Sequence, residues 1–102
     1  MLEQHRINVT QRFEKENPGY KLITEGDSFY VDIDITKVKG YDKLSEPAKK
    51  LFQIMYKRHN ACQGLDYKIR WIPKSVLEHK THLEVHFSGK DWLHWCPNGE
   101  WY

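Results

Sequence analysis

His79, His82, His86 and His94, with Glu84 among them, crowd the last quarter of a 102-residue chain. Imidazole and carboxylate are side chains that hold zinc and move protons near neutral pH. In an extended segment His82, Glu84 and His86 share a face, because alternate residues of a strand point the same way. Whether His94 joins them depends on the turn at Ser88-Gly89-Lys90. A two-residue loop at Gly89-Lys90 sets His94 opposite Val85, on the other face. A three-residue loop sets His94 opposite His86 and Cys96 opposite Glu84, and only this register assembles a site. The set His82, Glu84, His86 and His94 then describes a metal-dependent hydrolase. The spacing matches no zinc helix motif such as His-Glu-x-x-His, and a solvated polar strand face accounts for the same residues. The expectation is accordingly no metal, no cofactor and no catalysis.

Carboxylates offer two further patterns. Asp32 and Asp34 sit two apart on an expected strand, a spacing that can bind magnesium but that simple polar-apolar alternation also produces. Asp66 followed by Glu78-His79-Lys80 resembles the Asp…Glu-x-Lys arrangement of restriction-endonuclease-like nucleases. The resemblance covers only three residues and implies a larger mixed sheet than this chain can form. No nucleophile elbow, phosphate loop or dinucleotide fingerprint is present.

A basic set is the second functional candidate. Lys49, Lys50 and Lys57 lie off the apolar stripe of an expected helix, and Lys68 and Arg70 project from an expected strand beside Tyr67 and Trp71. Positive charge interleaved with aromatic rings suits phosphate contact and base stacking. A formal net charge of only +2 argues for an ordinary solvated surface instead.

The aromatic residues carry the favoured reading. Aromatic residues make up 14% of the chain, and three of its four tryptophans, Trp92, Trp95 and Trp101, fall near the C-terminal end together with Tyr102. In a strand Trp92 and Trp95 point to opposite faces, so one of them is expected to meet solvent. Exposed Trp and Tyr give large contact area at little cost in side-chain entropy. Trp92, Trp95, Trp101 and Tyr102, with Tyr30 as a further candidate, are thus the expected anchors for an unidentified protein partner. A homodimer through the same patch would leave the same pattern. The function expected is a non-catalytic binding module of adaptor or inhibitor type, in the style of accessory proteins carried by phages and mobile elements.

The elements that must position these residues follow from periodicity. Residues 1–102 are expected to form a single domain. No apolar run approaches a membrane span, and the opening residues MLEQHRINVTQRFEKE lack the apolar segment of a secretory signal, so a cytoplasmic protein is expected. Cys62 and Cys96 form no paired motif and are expected as reduced thiols. Leu2 to Glu16 reads as a helix on propensity, although Ile7, Val9 and Phe13 also alternate like a strand. Tyr20–Glu25 and Ser28–Ile33 flank Gly26-Asp27, predicting a hairpin with Leu22 opposite Val31 and Lys21 opposite Asp32. The second strand is expected to run on through Ile35 towards Gly40. Leu44, Ala48, Leu51, Phe52, Met55, His59 and Cys62 make a helical stripe, with Ser45 as cap and Gly64 as left-handed stop. Leu65–Trp71, Thr81–Phe87 and Asp91–Cys96 alternate as strands, with Lys74–Lys80 as connection and a tight turn at Asn98-Gly99. The class predicted is α+β, in the order α-β-β-α-β-β-β. Its mostly antiparallel sheet of about five strands carries the Leu44–Cys62 helix on one face.

Overall fold

A computed structural model of the chain describes residues 2–102, with side chains from Gln4 onward. The order is α1 (Leu2–Glu16), β1 (Lys21–Glu25), β2 (Ser28–Asp32), α2 (Glu46–Cys62), β3 (Pro73–Glu78), β4 (Leu83–Phe87) and β5 (Trp92–Trp95). Short 3-10 turns fall at Ile35–Lys37, Tyr41–Lys43 and Lys68–Trp71. This is the expected α+β order. The five strands divide into two antiparallel sheets, β1-β2 and β3-β4-β5.

The first segment is the helix that its composition favours. Asn17 closes it by donating from its side-chain amide to the Phe13 carbonyl at 3.0 Å. Leu2, placed on the apolar face by its spacing, has its side chain outside the described residues. The hairpin has the expected register, with Lys21 opposite Asp32, Leu22 opposite Val31 and Thr24 opposite Phe29. Gly26 takes the left-handed conformation at φ 61° that this two-residue turn demands. Both faces of the hairpin are covered. Leu22 and Val31 bury with Phe13 of α1 and with Ile72, whereas Tyr30 and Ile23 join the larger core around α2.

β2 stops at Asp32 and does not continue towards Gly40. Asp34 accepts from the Thr36 backbone N–H at 3.1 Å and caps a 3-10 turn, so it shares no strand face with Asp32. Tyr30 is buried too, against Tyr56 of α2.

Helix α2 lies between the sheets and buries two stripes. Phe52, Met55 and His59 join the core shared with the three-stranded sheet, and Tyr56 and Asn60 bind the hairpin. Ser45 accepts from the Ala48 N–H at 3.3 Å as the expected cap. The Ser45 hydroxyl in turn donates to Glu78 Oε2 at 2.9 Å, and its N–H donates to Oε1 at 2.8 Å. These bonds hold the Glu78 carboxyl below its usual range. Gly64 is not among the residues with positive φ. The last turn is instead satisfied by the Gln63 N–H and by the Lys68 ammonium. Cys62 is exposed at the margin of the apolar stripe.

Two expectations for the middle of the chain fail. Leu65–Trp71 alternates like a strand but ends in the turn Lys68–Trp71, because Lys68 turns inward to the end of α2. The strand comes later, at Pro73–Glu78, where a connection was expected. It pairs with β4, Val76 opposite Val85 and Leu77 opposite Glu84. The C-terminal turn forms as expected around Gly99, with φ 88°. It returns Trp101 to pair with Trp95.

Candidate functional site

The three-stranded sheet turns Val76, Leu83, Val85, Phe87 and Trp95 to the core. Its pleat must therefore turn Leu77, Glu84, His86, Trp92 and His94 the other way. The decisive register lies between β4 and β5. His86 faces Trp92, Val85 faces Leu93, Glu84 faces His94 and Leu83 faces Trp95. The Phe87 N–H donates to the Asp91 carbonyl at 2.9 Å, which leaves Ser88-Gly89-Lys90 as a three-residue loop. His94 thus has the face that the three-residue alternative requires, but it stands opposite Glu84, two residues along from the expected His86.

The outer face is a row of rings. His82 stacks on His79 with centroids 4.7 Å apart, and on His94 at 4.0 Å. His94 then meets Trp92 at 5.2 Å and the edge of Tyr102 at 4.8 Å. His86 lies nearly parallel to Trp92 at 6.0 Å. Glu84 sits beneath, receiving Nε2–H of His86 at 2.7 Å and of His79 at 3.1 Å. Those two bonds, that from His86 first, lower the Glu84 carboxyl. His79, one of the clustered histidines but outside the expected ligand set, belongs to the row through Glu84 and His82.

The same geometry bears on metal chemistry. Stacked rings present π-faces to one another, whereas ligation needs ring nitrogens aimed at one point. Among the described residues no three His, Cys, Asp or Glu side chains are disposed around a common point. His82, Glu84, His86 and His94 share a surface but do not converge. The nuclease-like pattern is dispersed as well. Asp66 lies 3.9 Å from Arg12, while Glu78 is bound to Ser45 at the start of α2.

Partial burial, followed by the like charges that His94 and His79 would carry, pushes the His82 pKa down from 6.5. In a ring-proton NMR titration His82 is expected to titrate below that value. His94→Gln should move it upward, since it removes one repulsive neighbour. A His82 midpoint at or above 6.5, or one indifferent to His94, would contradict this account of the stack.

The aromatic anchors sort by parity. Trp92 is 53% exposed and Tyr102 68% exposed, but Trp95 is fully buried against Phe52, Phe87 and His59. Trp95 is therefore a core residue and no surface anchor, and Tyr30 is excluded for the same reason. Trp101 is half-buried, packed edge-on to His59 at 5.1 Å. Leu77, 56% exposed on β3, belongs to the outer face and was missed, because its strand lacks clean alternation.

The basic set does not assemble into a patch. Lys68 is 2% exposed. Lys49 pairs with Glu46 at 3.5 Å, Lys57 lies 3.8 Å from Glu25, and Arg70 binds Asp91 at 3.1 Å. Lys50 alone of the five stands exposed without a carboxylate in reach among the described residues. A groove for a phosphate backbone needs several free cations along one line.

No helix among the described residues is long and apolar enough to cross a membrane. Comparison with known proteins returns nothing: no family model matches the chain, and neither does any curated protein or solved structure. What the fold and this face define is a small α+β domain that displays an aromatic and imidazole surface.

Proposed function

We propose that the domain is a non-catalytic binding module, of adaptor or inhibitor type and acting in the cytoplasm, that recognises a protein partner through the outer face of β3-β4-β5. Trp92 and Tyr102 are its anchors, with Leu77 and the row His82–His94 completing the surface. One observation carries the reading: Trp92 holds half its surface in solvent, within a continuous row of rings, on a sheet whose other face already builds the core. Exposed tryptophan in such a patch costs hydration that contact with a partner recovers, and Trp and Tyr dominate measured hot spots. The absence of converging donors among the described residues, and the scattering of the basic set, leave this reading ahead of hydrolysis and nucleic-acid binding.

The test is affinity capture from native host lysate with the wild-type domain and with Trp92→Ala/Tyr102→Ala. The double variant should keep its far-UV spectrum and melting temperature, since neither ring is in the core, and should lose the captured protein. Truncating a hot-spot ring costs about 2 kcal/mol or more, some thirtyfold or greater in affinity. Capture that survives both substitutions sinks the proposal.

A further inference from the structure

The two sheets have four edges, and on three of them this chain itself binds part of the outward backbone. The free side of β3 is bound by Lys39, whose N–H donates to the Lys74 carbonyl and whose carbonyl accepts from Val76 N–H. The free side of β5 is bound by the returning segment, His94 and Tyr102 exchanging both of their backbone hydrogen bonds. The free side of β2 is closed by side chains. Val31 N–H donates to Asn60 Oδ1 at 2.9 Å, Tyr56 Oη donates to the Val31 carbonyl at 2.6 Å, and Lys68 Nζ donates to the Phe29 carbonyl at 2.8 Å.

Those bonds also orient β1. Phe29 and Val31 direct their backbone groups away from β1, so the residues opposite them, Thr24 and Leu22, direct theirs away from β2. Among the described residues none of the four backbone groups of Leu22 and Thr24 has a hydrogen-bond partner on that side. Helix α1 packs on one face of the hairpin and α2 on the other, and neither supplies a bond to this edge. The strand has no proline, no glycine and no bulge, and its only edge protections are its five-residue length and the charges of Lys21 and Glu25 at its two ends.

We propose that β1 is a dimerisation edge and that its occupant is β1 of a second copy of this chain, paired antiparallel about Ile23. In that register Leu22 and the partner's Thr24 exchange two hydrogen bonds, and symmetry makes four. Lys21 meets the partner's Glu25, and Glu25 meets the partner's Lys21. Ile23 meets the partner's Ile23 in a close pair without hydrogen bonds, where side chains approach most nearly. Sliding by one pair in either direction sets Ile23 against Lys21 or Glu25 and loses these matches. The charges at the two ends of β1 are thus complementary to themselves under twofold symmetry, as an isologous contact requires. The result is one four-stranded sheet, β2-β1-β1-β2, that does not involve the aromatic face.

Sedimentation equilibrium of the whole chain, over about 1 μM to about 1 mM, tests this. The wild type should associate to a dimer and no further. Thr24→Pro removes an N–H that no group uses among the described residues, and should give a monomer with an unchanged far-UV spectrum. Lys21→Glu should weaken association about tenfold, and Lys21→Glu/Glu25→Lys should restore it. Should Thr24→Pro fail to fold, amide exchange of the wild type decides: Leu22 and Thr24 amides must gain protection as concentration rises. A wild type monomeric throughout, association indifferent to the β1 variants, or a dimer lost in Trp92→Ala/Tyr102→Ala would overturn the proposal. None of these outcomes bears on partner capture, which is read separately.

Discussion

Lys68→Met is expected to destabilise the domain by about 3–5 kcal/mol, lowering its melting temperature by roughly 12 °C or more, if it folds at all. The reason lies in what the ammonium holds. It donates to the carbonyls of Phe29, Asn60 and Gln63, each at 2.8 Å, and approaches that of Ala61 at 3.4 Å. Two needs meet there. The last carbonyls of any helix lack partners within the helix, and the outward carbonyl of an edge strand lacks one within its sheet. At most positions water serves, but Lys68 is 2% exposed. Methionine keeps the length and most of the volume, so little cavity forms and the loss measures the polar groups left bare. Burial lowers the amine pKa to about 8, which still leaves it protonated at pH 7 with three N–H groups for the three short bonds. Arginine should not rescue, because a planar fork cannot aim at carbonyls gathered around a point. Lys50→Met, on the exposed side of α2, is the control and should leave stability within about 0.5 kcal/mol. Thermal melts followed by circular dichroism measure both. If Lys68→Met melts with the wild type, the ammonium does not hold the end of α2.

The same lysine shows why part of the fold was legible and part was not. Local signals were read correctly where local physics decides. Gly26-Asp27 sets the turn and therefore the register of Leu22 with Val31, and Ser45 with the stripe from Leu44 to His59 sets α2. Leu65–Trp71 has an equally good period of two, yet it forms no strand. A charged residue in that pattern is assigned to solvent by default, and only the end of α2, folded against it, gives Lys68 a reason to turn in. β3 went unseen for the opposite reason. One edge of it binds the Lys39 backbone and Pro73 precedes a register shift, so neither burial nor alternation marks it.

The candidate face was half legible in the same sense. Parity shows that Trp92 and Trp95 separate, but it does not say which of them the core takes. The choice follows from Trp95 facing Leu83, across from Phe52 of α2. The position of His94 turns on the loop at Ser88-Gly89-Lys90, where glycine invites the left-handed position. That position belongs instead to Lys90, at φ 70°. Gly89 is needed for closeness: its N–H donates to the Arg70 carbonyl at 2.9 Å, and a Cβ there would collide with Arg70 Cγ. A glycine conserving space looks, in sequence, like a glycine supplying a turn.

His59 makes the second large prediction, a loss of stability well above the pH at which carboxylates protonate. Its ring is buried among Trp71, Phe87, Trp95 and Trp101, with centroids 5.1–5.8 Å away, and its Nδ1 has no hydrogen-bond partner among the described residues. Burial in this apolar cage lowers its pKa from 6.5 to about 4. Between those values the unfolded chain binds a proton that the folded chain refuses. Stability is therefore complete above pH 6.5, falls as pH drops towards 4, and loses about 3 kcal/mol over that window. Asp34, Glu78 and Glu84 have lowered pKa values and act further down, below their ordinary values of 3.8–4.5. His82 shifts in the same direction as His59 but lies on the surface, where solvent screens it. Urea unfolding at pH 7.5, 6.5, 5.5 and about 4.5 should then show a midpoint that falls steadily, for a domain whose whole stability is about 5–15 kcal/mol. His59→Leu separates the cause from other acid effects. It fills nearly the same volume and removes the unpartnered nitrogen, giving up the 3.3 Å hydrogen bond between Nε2 and the Gln63 amide, and should cost less than about 1.5 kcal/mol at pH 7.5 while flattening the curve above pH 4.5. Parallel curves for wild type and His59→Leu would show that the imidazole is not the group that titrates. A flat wild-type curve would show that the cage tolerates the imidazolium, with the four rings stabilising its charge through their π-faces.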